Sequence, residues 1–268
     1  MKQLIFYIFL FSPFFLFATD NLRLVDMRSL GTGGNGVTQS TFSNPALVSF
    51  IPSRTVHIDY FNRYAMKELG TLAAGYAYPN RLLPFALDVS SFGFDAYRES
   101  LFRISLAKKL NDKWHAGVSI QYSRVQSLGA EEVPQYLSTD VGILFVPVDK
   151  VLIGVLITNW PVVSLIKENR DIKGFTDYSF QIGFQWQVIN NLFIIGTGES
   201  NKTDPLTGSF GIEYRPYSSF QLRAGIQIHP LLPAFGLGYC FSSFQVNTAF
   251  LYHPVLGLST GIGFTYQF

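Results

Sequence analysis

The chain has 268 residues, of which 48% are hydrophobic and only 14% are charged. Its net charge of +2 lacks the basic excess with which nucleic-acid-binding proteins hold phosphates. A chain this apolar is not intrinsically disordered, and it requires either a large core or a lipid environment.

The N-terminus has the organisation of a secretory signal peptide. Lys2 supplies a basic residue, residues 4–17 are almost wholly apolar, and Ala18 offers a small residue for cleavage. The apolar run is shorter than the ~20 residues that a membrane-spanning helix needs. We therefore interpret residues 1–18 as a signal peptide rather than as a transmembrane helix, and we expect the chain to be exported.

The remaining sequence limits the class of exported protein. No later apolar run reaches the length of a membrane-spanning helix, and Cys240 is the only cysteine. A small secreted fold held by internal disulfides is therefore excluded. An aromatic-rich, cysteine-poor exported chain indicates a β-barrel of the bacterial outer membrane, surrounded by outer-membrane lipid and inserted by the barrel-assembly machinery.

The C-terminal segment alternates between apolar residues and small or polar residues, as a strand does when one face meets lipid. Phe264, Tyr266 and Phe268 belong to the apolar face, whereas Gly263 and Thr265 belong to the other. We interpret the three aromatic residues as the signal that the barrel-assembly machinery reads. A soluble β-sandwich also has one apolar face per strand, so alternation alone leaves that alternative open.

The same alternation recurs along the chain and predicts about fourteen strands, an even number that suits a closed antiparallel barrel over residues 54–268. The connections after even-numbered strands are short, whereas several of the others are longer. The predicted strands cover residues 54–64, 69–78, 82–95, 100–110, 114–127, 136–146, 150–158, 176–188, 192–200, 207–216, 219–228, 233–241, 244–252 and 256–268.

Four charged residues fall on the predicted lumen face of these strands, namely Arg103, Glu213, Arg215 and Arg223. They either link the barrel wall to a segment in the lumen or line a path for substrate. A turn centred on Ser218 would place Glu213 opposite Arg223 across two neighbouring strands, where opposite charges attract.

Residues 19–53 precede the first predicted strand and are rich in glycine. Gly31, Gly33 and Gly36 match the G-x-G-x-x-G pattern of dinucleotide-binding folds, but that interpretation needs a βαβ unit, and the residues that follow read as β-hairpins. We interpret this segment as a compact loop in the barrel mouth, where glycine permits close backbone approach.

This glycine-rich stretch, followed by Asn-Pro-Ala just before a fourteen-stranded barrel that ends in Phe, resembles the FadL superfamily, and most closely its PorV/PorQ branch in Bacteroidota. The resemblance implies that residues 19–53 form a hatch that plugs the lumen. FadL itself moves long-chain fatty acids, whereas PorV and PorQ act with the type IX secretion system. The hatch residues implied by the resemblance are Gly31, Gly33, Gly34, Gly36, Asn44 and Pro45.

The sequence gives no indication of catalysis, cofactor binding or metal binding. Its four histidines lack metal-ligand spacing, and the G-x-S-x-G match at residues 257–261 lies inside the last predicted strand rather than at the strand-to-helix turn that a nucleophile motif needs. We therefore expect a non-enzymatic outer-membrane barrel that is accessory to a larger secretion or assembly complex. The alternatives are a FadL-like passive transporter of small hydrophobic molecules and a structural barrel or adhesin.

The longest predicted loop, residues 160–175, combines an apolar run with a mixed-charge run. It either folds inward to cap the lumen or presents apolar side chains to a partner protein, since exposed apolar clusters often mark interaction sites. The candidate partner-binding residues are Trp160, Val162, Val163, Leu165 and Ile166.

Overall fold

The computed structural model describes residues 26–129, 133–166, 177–201 and 206–268. The predicted signal peptide lies outside these residues, as does the mixed-charge run at positions 167–173 of the longest predicted loop. Within the described ranges, none of the helices combines the length and the apolar character needed to cross a membrane.

The fold is a closed antiparallel barrel of fourteen strands, as the sequence predicts. Each of the fourteen barrel strands pairs with the barrel strands before and after it, so that β7 pairs with β9, and β1 pairs with β15 to close the ring. The strands are β1 Thr55–Asn62, β2 Gly70–Tyr78, β3 Phe85–Phe94, β4 Tyr97–Lys109, β5 Trp114–Ser127, β6 Gln135–Val148, β7 Val151–Thr158, β9 Ser179–Ile189, β10 Leu192–Asn201, β11 Thr207–Tyr217, β12 Phe220–Ile228, β13 Leu232–Phe241, β14 Phe244–His253 and β15 Gly257–Gln267, while β8 Val162–Ser164 is an additional short strand.

Strand β8 corrects the prediction that this stretch is entirely loop. On β7, Ile157 pairs with Val141 of β6, and on β8, Val162 pairs with Ser138 of the same strand. The chain between Ile157 and Val162 therefore contains two more residues than the segment of β6 that it faces. Asn159 lies in this bulge with a φ of 55°. β8 therefore extends the wall along β6 after a wide bulge, a feature that strand periodicity alone does not reveal.

The alternation of the sequence creates an apolar outer face and a lumen face of small and polar residues. On β5, Val118 and Ile120 are exposed on the outside, whereas Ser119 and Gln121 are buried in the lumen. Exposed aliphatic and aromatic side chains recur on the outside of the other strands. This arrangement is that of a barrel surrounded by lipid, and a water-soluble barrel has the opposite arrangement.

The two ends of the barrel differ in their connections. At the end that holds Phe268, which we call the turn end, connections such as residues 149–150 and 190–191 are short. At the opposite loop end, residues 63–69 and 128–134 form longer connections and residues 159–178 separate β7 from β9, but residues 95–96, 229–231 and 254–256 form short ones. The predicted contrast between the two ends therefore holds only in part, and it fails at β3–β4 because β4 begins earlier than predicted.

Residues 26–53, which we call the hatch, contain α1 Met27–Gly31, α2 Gly36–Gln39 and a 3-10 turn Pro45–Phe50. The sequence predicts an irregular loop here, and the difference arises because these helices are too short to show helical periodicity. Their ends carry recognisable caps. The Asp26 side chain accepts hydrogen bonds from the backbone at the start of α1, and Asn44 does the same for the 3-10 turn.

We predict that deletion of Phe268 lowers the yield of folded barrel. The Phe268 amide donates to the Arg54 carbonyl at 2.9 Å, which extends the pairing of β15 with β1. Its ring also contacts that of Tyr266, which packs on Phe244. The folded fraction is measured as the heat-modifiable band in gel electrophoresis, with Gln267→Ser as the control that leaves the aromatic cluster intact. An unchanged folded fraction in the deletion would contradict this role.

Candidate functional site: the lumen and its hatch

The hatch lies inside the barrel and contacts most of its wall. α1 packs on β12–β15, α2 packs on β7, β9 and β10, and the 3-10 turn packs on β3–β6. Met27, Val37 and Val48 belong one to each of these three elements, and all three are fully buried. The hatch therefore lies within the lumen and is held by the wall from several sides.

Glycines on the lumen face of the wall make room for the hatch. At each of these positions an added Cβ would press against a hatch atom at 3.2 Å or less. Such close approach is possible only without a side chain. We call these residues the glycine belt, and they are Gly117, Gly142, Gly154, Gly183, Gly211, Gly225, Gly236, Gly261 and Gly263.

The glycine-rich stretch of the hatch matches this belt. A Cβ on Gly31 would lie 3.0 Å from the Cα of Gly236, so two glycines face each other across the interface. Gly33 and Gly34 have φ values of 88° and 87°, in the left-handed region that favours glycine. The stretch that resembles a nucleotide-binding motif thus serves a tight turn against the wall.

Asn44 and Pro45 fix the second half of the hatch. The Asn44 side-chain oxygen accepts from the Ala46 amide at 3.0 Å, and its amide group donates to the Val37 carbonyl at 2.9 Å. Pro45 occupies the first position of the 3-10 turn, where a missing amide hydrogen costs nothing. Gly142 of the belt lies directly against the Asn44 side chain.

Met27 covers the seam where the first and last strands meet. Its amide donates to Asp59 of β1 at 3.4 Å. A Cβ on Gly263 of β15 would lie 3.2 Å from the Met27 side chain, and Gly261 contacts the same side chain. The start of α1 therefore contacts both strands of the closing pair.

A buried carboxylate joins the hatch to the wall. Arg28 of α1 donates two hydrogen bonds to Glu213 of β11, at 2.9 and 3.1 Å. Arg223 of β12 donates to the same carboxylate at 2.8 Å, and Arg215 donates at 2.6 Å. Glu213 and Arg223 are fully buried and face each other in register. Three guanidinium groups therefore compensate one buried carboxylate, which would otherwise be strongly unfavourable.

The second charged residue that anchors the hatch lies on the opposite wall. Arg103 of β4 donates to the carbonyls of Phe42 and Ser43 in the hatch. It also forms an ion pair with Asp140 of β6 and donates to Ser119 of β5. In the barrel ring, β4 lies six strands from β11, so the two anchors hold the hatch from opposite sides.

A buried acidic residue near Arg103 has fewer partners. Asp88 of β3 is directly opposite Arg103 in register, yet Arg103 points away from it towards Asp140. One Asp88 oxygen is 3.6 Å from His57 Nε2, beyond hydrogen-bond distance. Among the residues that the structure describes, the other oxygen has no hydrogen-bond partner, and the same holds for His57 Nε2.

Apolar side chains also face the lumen. Towards the loop end, Phe92 and Leu101 of the wall pack with Phe42 of the hatch, and Phe61 packs with Met27. Towards the turn end, the apolar wall residues that pack around Val48 are Ala77, Ala86 and Ala107. The mostly polar lumen wall thus has two apolar patches, one on each side of the level at which His57, Asp88 and Arg103 lie.

A serine and a histidine meet near the turn end. Ser49 Oγ lies 2.7 Å from the Ala46 carbonyl oxygen and 2.7 Å from His115 Nδ1, whose role as donor or acceptor depends on its tautomer. When Ser49 donates to the carbonyl, His115 donates to Ser49, which is the reverse of the arrangement that activates a nucleophilic serine. In the described ranges, no group of three metal-ligating side chains occurs.

The candidate partner-binding residues lie in and around β8. Trp160, Val163 and Leu165 are exposed, and Val163 pairs with Leu137, which lies on the lipid-facing side of β6. Val162 and Ile166 are half-buried. The apolar run therefore continues the lipid-facing wall, which accounts for its composition without requiring a partner protein.

The comparisons with known proteins rest on structure. No protein-family model matches the chain, and no curated protein matches its sequence. The toluene transporter TodX of Pseudomonas putida aligns over 93% of this chain and 100% of its own, with 12% identity and a TM-score of 0.65. A TodX mutant described as a monoaromatic hydrocarbon channel aligns over 92% and 100%, with the same identity and TM-score. A FadL homologue of Pseudomonas aeruginosa aligns over 91% and 98%, with 11% identity and a TM-score of 0.62.

These similarities establish the FadL-like barrel fold for the chain. The narrower PorV/PorQ resemblance stays a prediction.

The sequence placed the four charged residues on the lumen face, but it did not identify Arg28, Asp88 or Asp140 as their neighbours. The alternation puts both aspartates on lumen faces, and this pattern could have identified them as neighbours of Arg103. Nothing in the hatch sequence indicates which wall residue Arg28 contacts.

We predict that Gly142→Val disrupts docking of the hatch. Valine normally favours a strand, but here its side chain would collide with Asn44. The matched control is Gly198→Val on β10, where an added Cβ has its nearest neighbour at 3.9 Å. Limited proteolysis of the purified barrel should release the hatch of Gly142→Val faster than that of the control. Equal cleavage rates would show that the belt is not required for docking.

We predict that Glu213→Gln destabilises the barrel by about 3–5 kcal/mol, because Arg28 and Arg223 lose their buried counter-charge. Urea unfolding followed by tryptophan fluorescence measures the change. Asp95→Asn is the control, since Asp95 forms an exposed ion pair with Arg98 whose loss should leave the unfolding midpoint unchanged. The electrostatic role would be refuted by the same midpoint in Glu213→Gln and the control.

Proposed function

We propose that the protein is a non-enzymatic outer-membrane channel through which small hydrophobic molecules pass passively, with the hatch as its internal closure. The observation that carries this proposal is the group of apolar side chains on the lumen wall, where the wall packs on the hatch. A porin that conducts polar solutes has a polar, water-filled lumen. Here Phe61, Phe92 and Leu101 interrupt the polar lumen face and pack on Met27 and Phe42 of the hatch.

The structural neighbours support this proposal. The fold is shared over nearly the whole chain with proteins described as a toluene transporter and a monoaromatic hydrocarbon channel. They favour the transporter over the accessory secretion role that the PorV/PorQ resemblance implies. They also support an outer-membrane location, with lipid around the exposed apolar face of the strands. A larger membrane complex as partner remains a prediction from that resemblance.

We predict that cells that display the protein in the outer membrane take up the hydrophobic dye N-phenyl-1-naphthylamine faster than cells with an empty vector. Phe92→Gln should lower this uptake several-fold, because it makes the apolar wall polar. Phe92→Leu, which keeps the wall apolar, should retain uptake. Each variant is compared at equal amounts of heat-modifiable barrel.

Entry of the polar β-lactam nitrocefin into the same cells is the test of selectivity. We expect it to stay at the level of the empty vector, since the hatch lies within the lumen and contacts most of the wall. Dye uptake no faster than in the vector strain would contradict the proposed function. Equal acceleration of dye and nitrocefin entry would indicate an unselective pore and would contradict it as well.

A further inference from the structure

We propose that Arg103 is a two-position latch, which holds the hatch in the observed position and releases it by turning from Asp140 to Asp88. Release opens a passage between the hatch and the wall formed by β1–β5. The passage rests on the proposed channel function, whereas the latch itself can be tested without it.

The hatch is held unequally by its two charged anchors. At β11, Glu213 belongs to the wall and is surrounded by Arg28, Arg215 and Arg223, so this anchor joins charged groups of opposite sign. At β4 the anchor is different, because Arg103 binds only backbone carbonyls of the hatch, those of Phe42 and Ser43. A guanidinium group binds carboxylates more strongly than neutral carbonyls, so the β4 anchor is the weaker one.

Arg103 has a second carboxylate within its range. Asp88 is its direct cross-strand partner, and such partners have Cβ atoms about 4.5–5.5 Å apart. Asp88 is buried and, within the described part of the chain, one of its oxygens is without a hydrogen bond. A buried carboxylate in this state favours the approach of a cation.

Asp140 does not depend on Arg103 for its hydrogen bonds. It accepts from Ser119 at 3.1 Å, from the Asn159 amide at 2.9 Å and from Gln121 at 3.5 Å. When Arg103 turns away, these three donors remain. The rotation therefore moves the guanidinium from a carboxylate with other donors to one that has, within the described residues, an oxygen without a hydrogen-bond partner.

The wall beside this latch has the polar groups that an opened passage would expose. Ser90, Ser105 and His57 each have a buried side-chain atom that lacks a hydrogen-bond partner among the described residues. The His57 ring lies 4.0 Å from that of Phe42, so withdrawal of this part of the hatch uncovers it. Water can hydrate these atoms once the hatch moves, which offsets the loss of packing.

The test uses two variants that bias the latch in opposite directions. Asp140→Asn weakens the observed position, and Asp88→Asn removes the alternative one. Both are made in a Cys240→Ala, Ser43→Cys background, so that the hatch carries the only thiol. The rate at which a water-soluble maleimide labels this thiol in the folded barrel reports release of the hatch.

We expect labelling about tenfold faster in Asp140→Asn and slower in Asp88→Asn than in the background protein, because a charge-assisted hydrogen bond changes the equilibrium by roughly that factor. Asp95→Asn on the surface should match the background. In an Arg103→Ala background, Asp88→Asn should have no further effect. Only the heat-modifiable fraction is scored, so poor folding of Arg103→Ala leaves the two asparagine variants as the test.

Labelling that shifts in the same direction in both asparagine variants, or in neither, would overturn the latch. Uptake of N-phenyl-1-naphthylamine is measured in parallel. Faster labelling and dye uptake in Asp140→Asn, with slower labelling and dye uptake in Asp88→Asn, support the latch and the passage, whereas labelling shifts in the reverse directions overturn the latch. The expected labelling shifts without dye uptake support the latch and overturn the channel function, so the two proposals fail separately.

Discussion

The buried carboxylate of Glu213 is the interaction on which the position of the hatch depends. A carboxylate without water is stable only beside compensating charge, and Arg28, Arg215 and Arg223 supply it. Two of these guanidinium groups belong to the wall and one belongs to the hatch. Arg215 and Arg223 of the wall thus leave one side of the Glu213 carboxylate open for Arg28. Arg28 reaches it when α1 lies in the observed orientation, which also places the glycine-rich turn against β11–β13.

Shape then selects the same position as charge. The glycine belt leaves concave places in the wall, and hatch residues such as Val37 and Asn44 occupy them. Because packing is felt at the scale of a single methyl group, a hatch displaced by one residue would meet the belt with the wrong side chains. Charge and shape therefore specify one docked arrangement, while Arg103 on the other wall contributes contacts to backbone carbonyls only.

The sequence predicted the barrel well because strand periodicity and lipid exposure are local properties. The observed bounds of β5, Trp114–Ser127, coincide with the prediction, and the other barrel strands lie close to theirs. The helices of the hatch and strand β8 were missed, since elements of three to five residues carry no readable period. The sequence predicted the lumen contacts only in part. The pairing of Glu213 with Arg223 could be predicted from the position of the turn between their strands. The contact of Arg28 with Glu213 could not be predicted, because it joins positions 185 residues apart.

The position of Met27 has a consequence for closure of the barrel. This residue contacts β1 through Asp59 and β15 through Gly263, the first and last strands of the barrel. The seam between them joins the two strands that are farthest apart along the chain, so its closure requires contacts between the two ends of the barrel sequence. Because Met27 contacts both strands of the seam, docking of the N-terminal segment and closure of the wall stabilise each other.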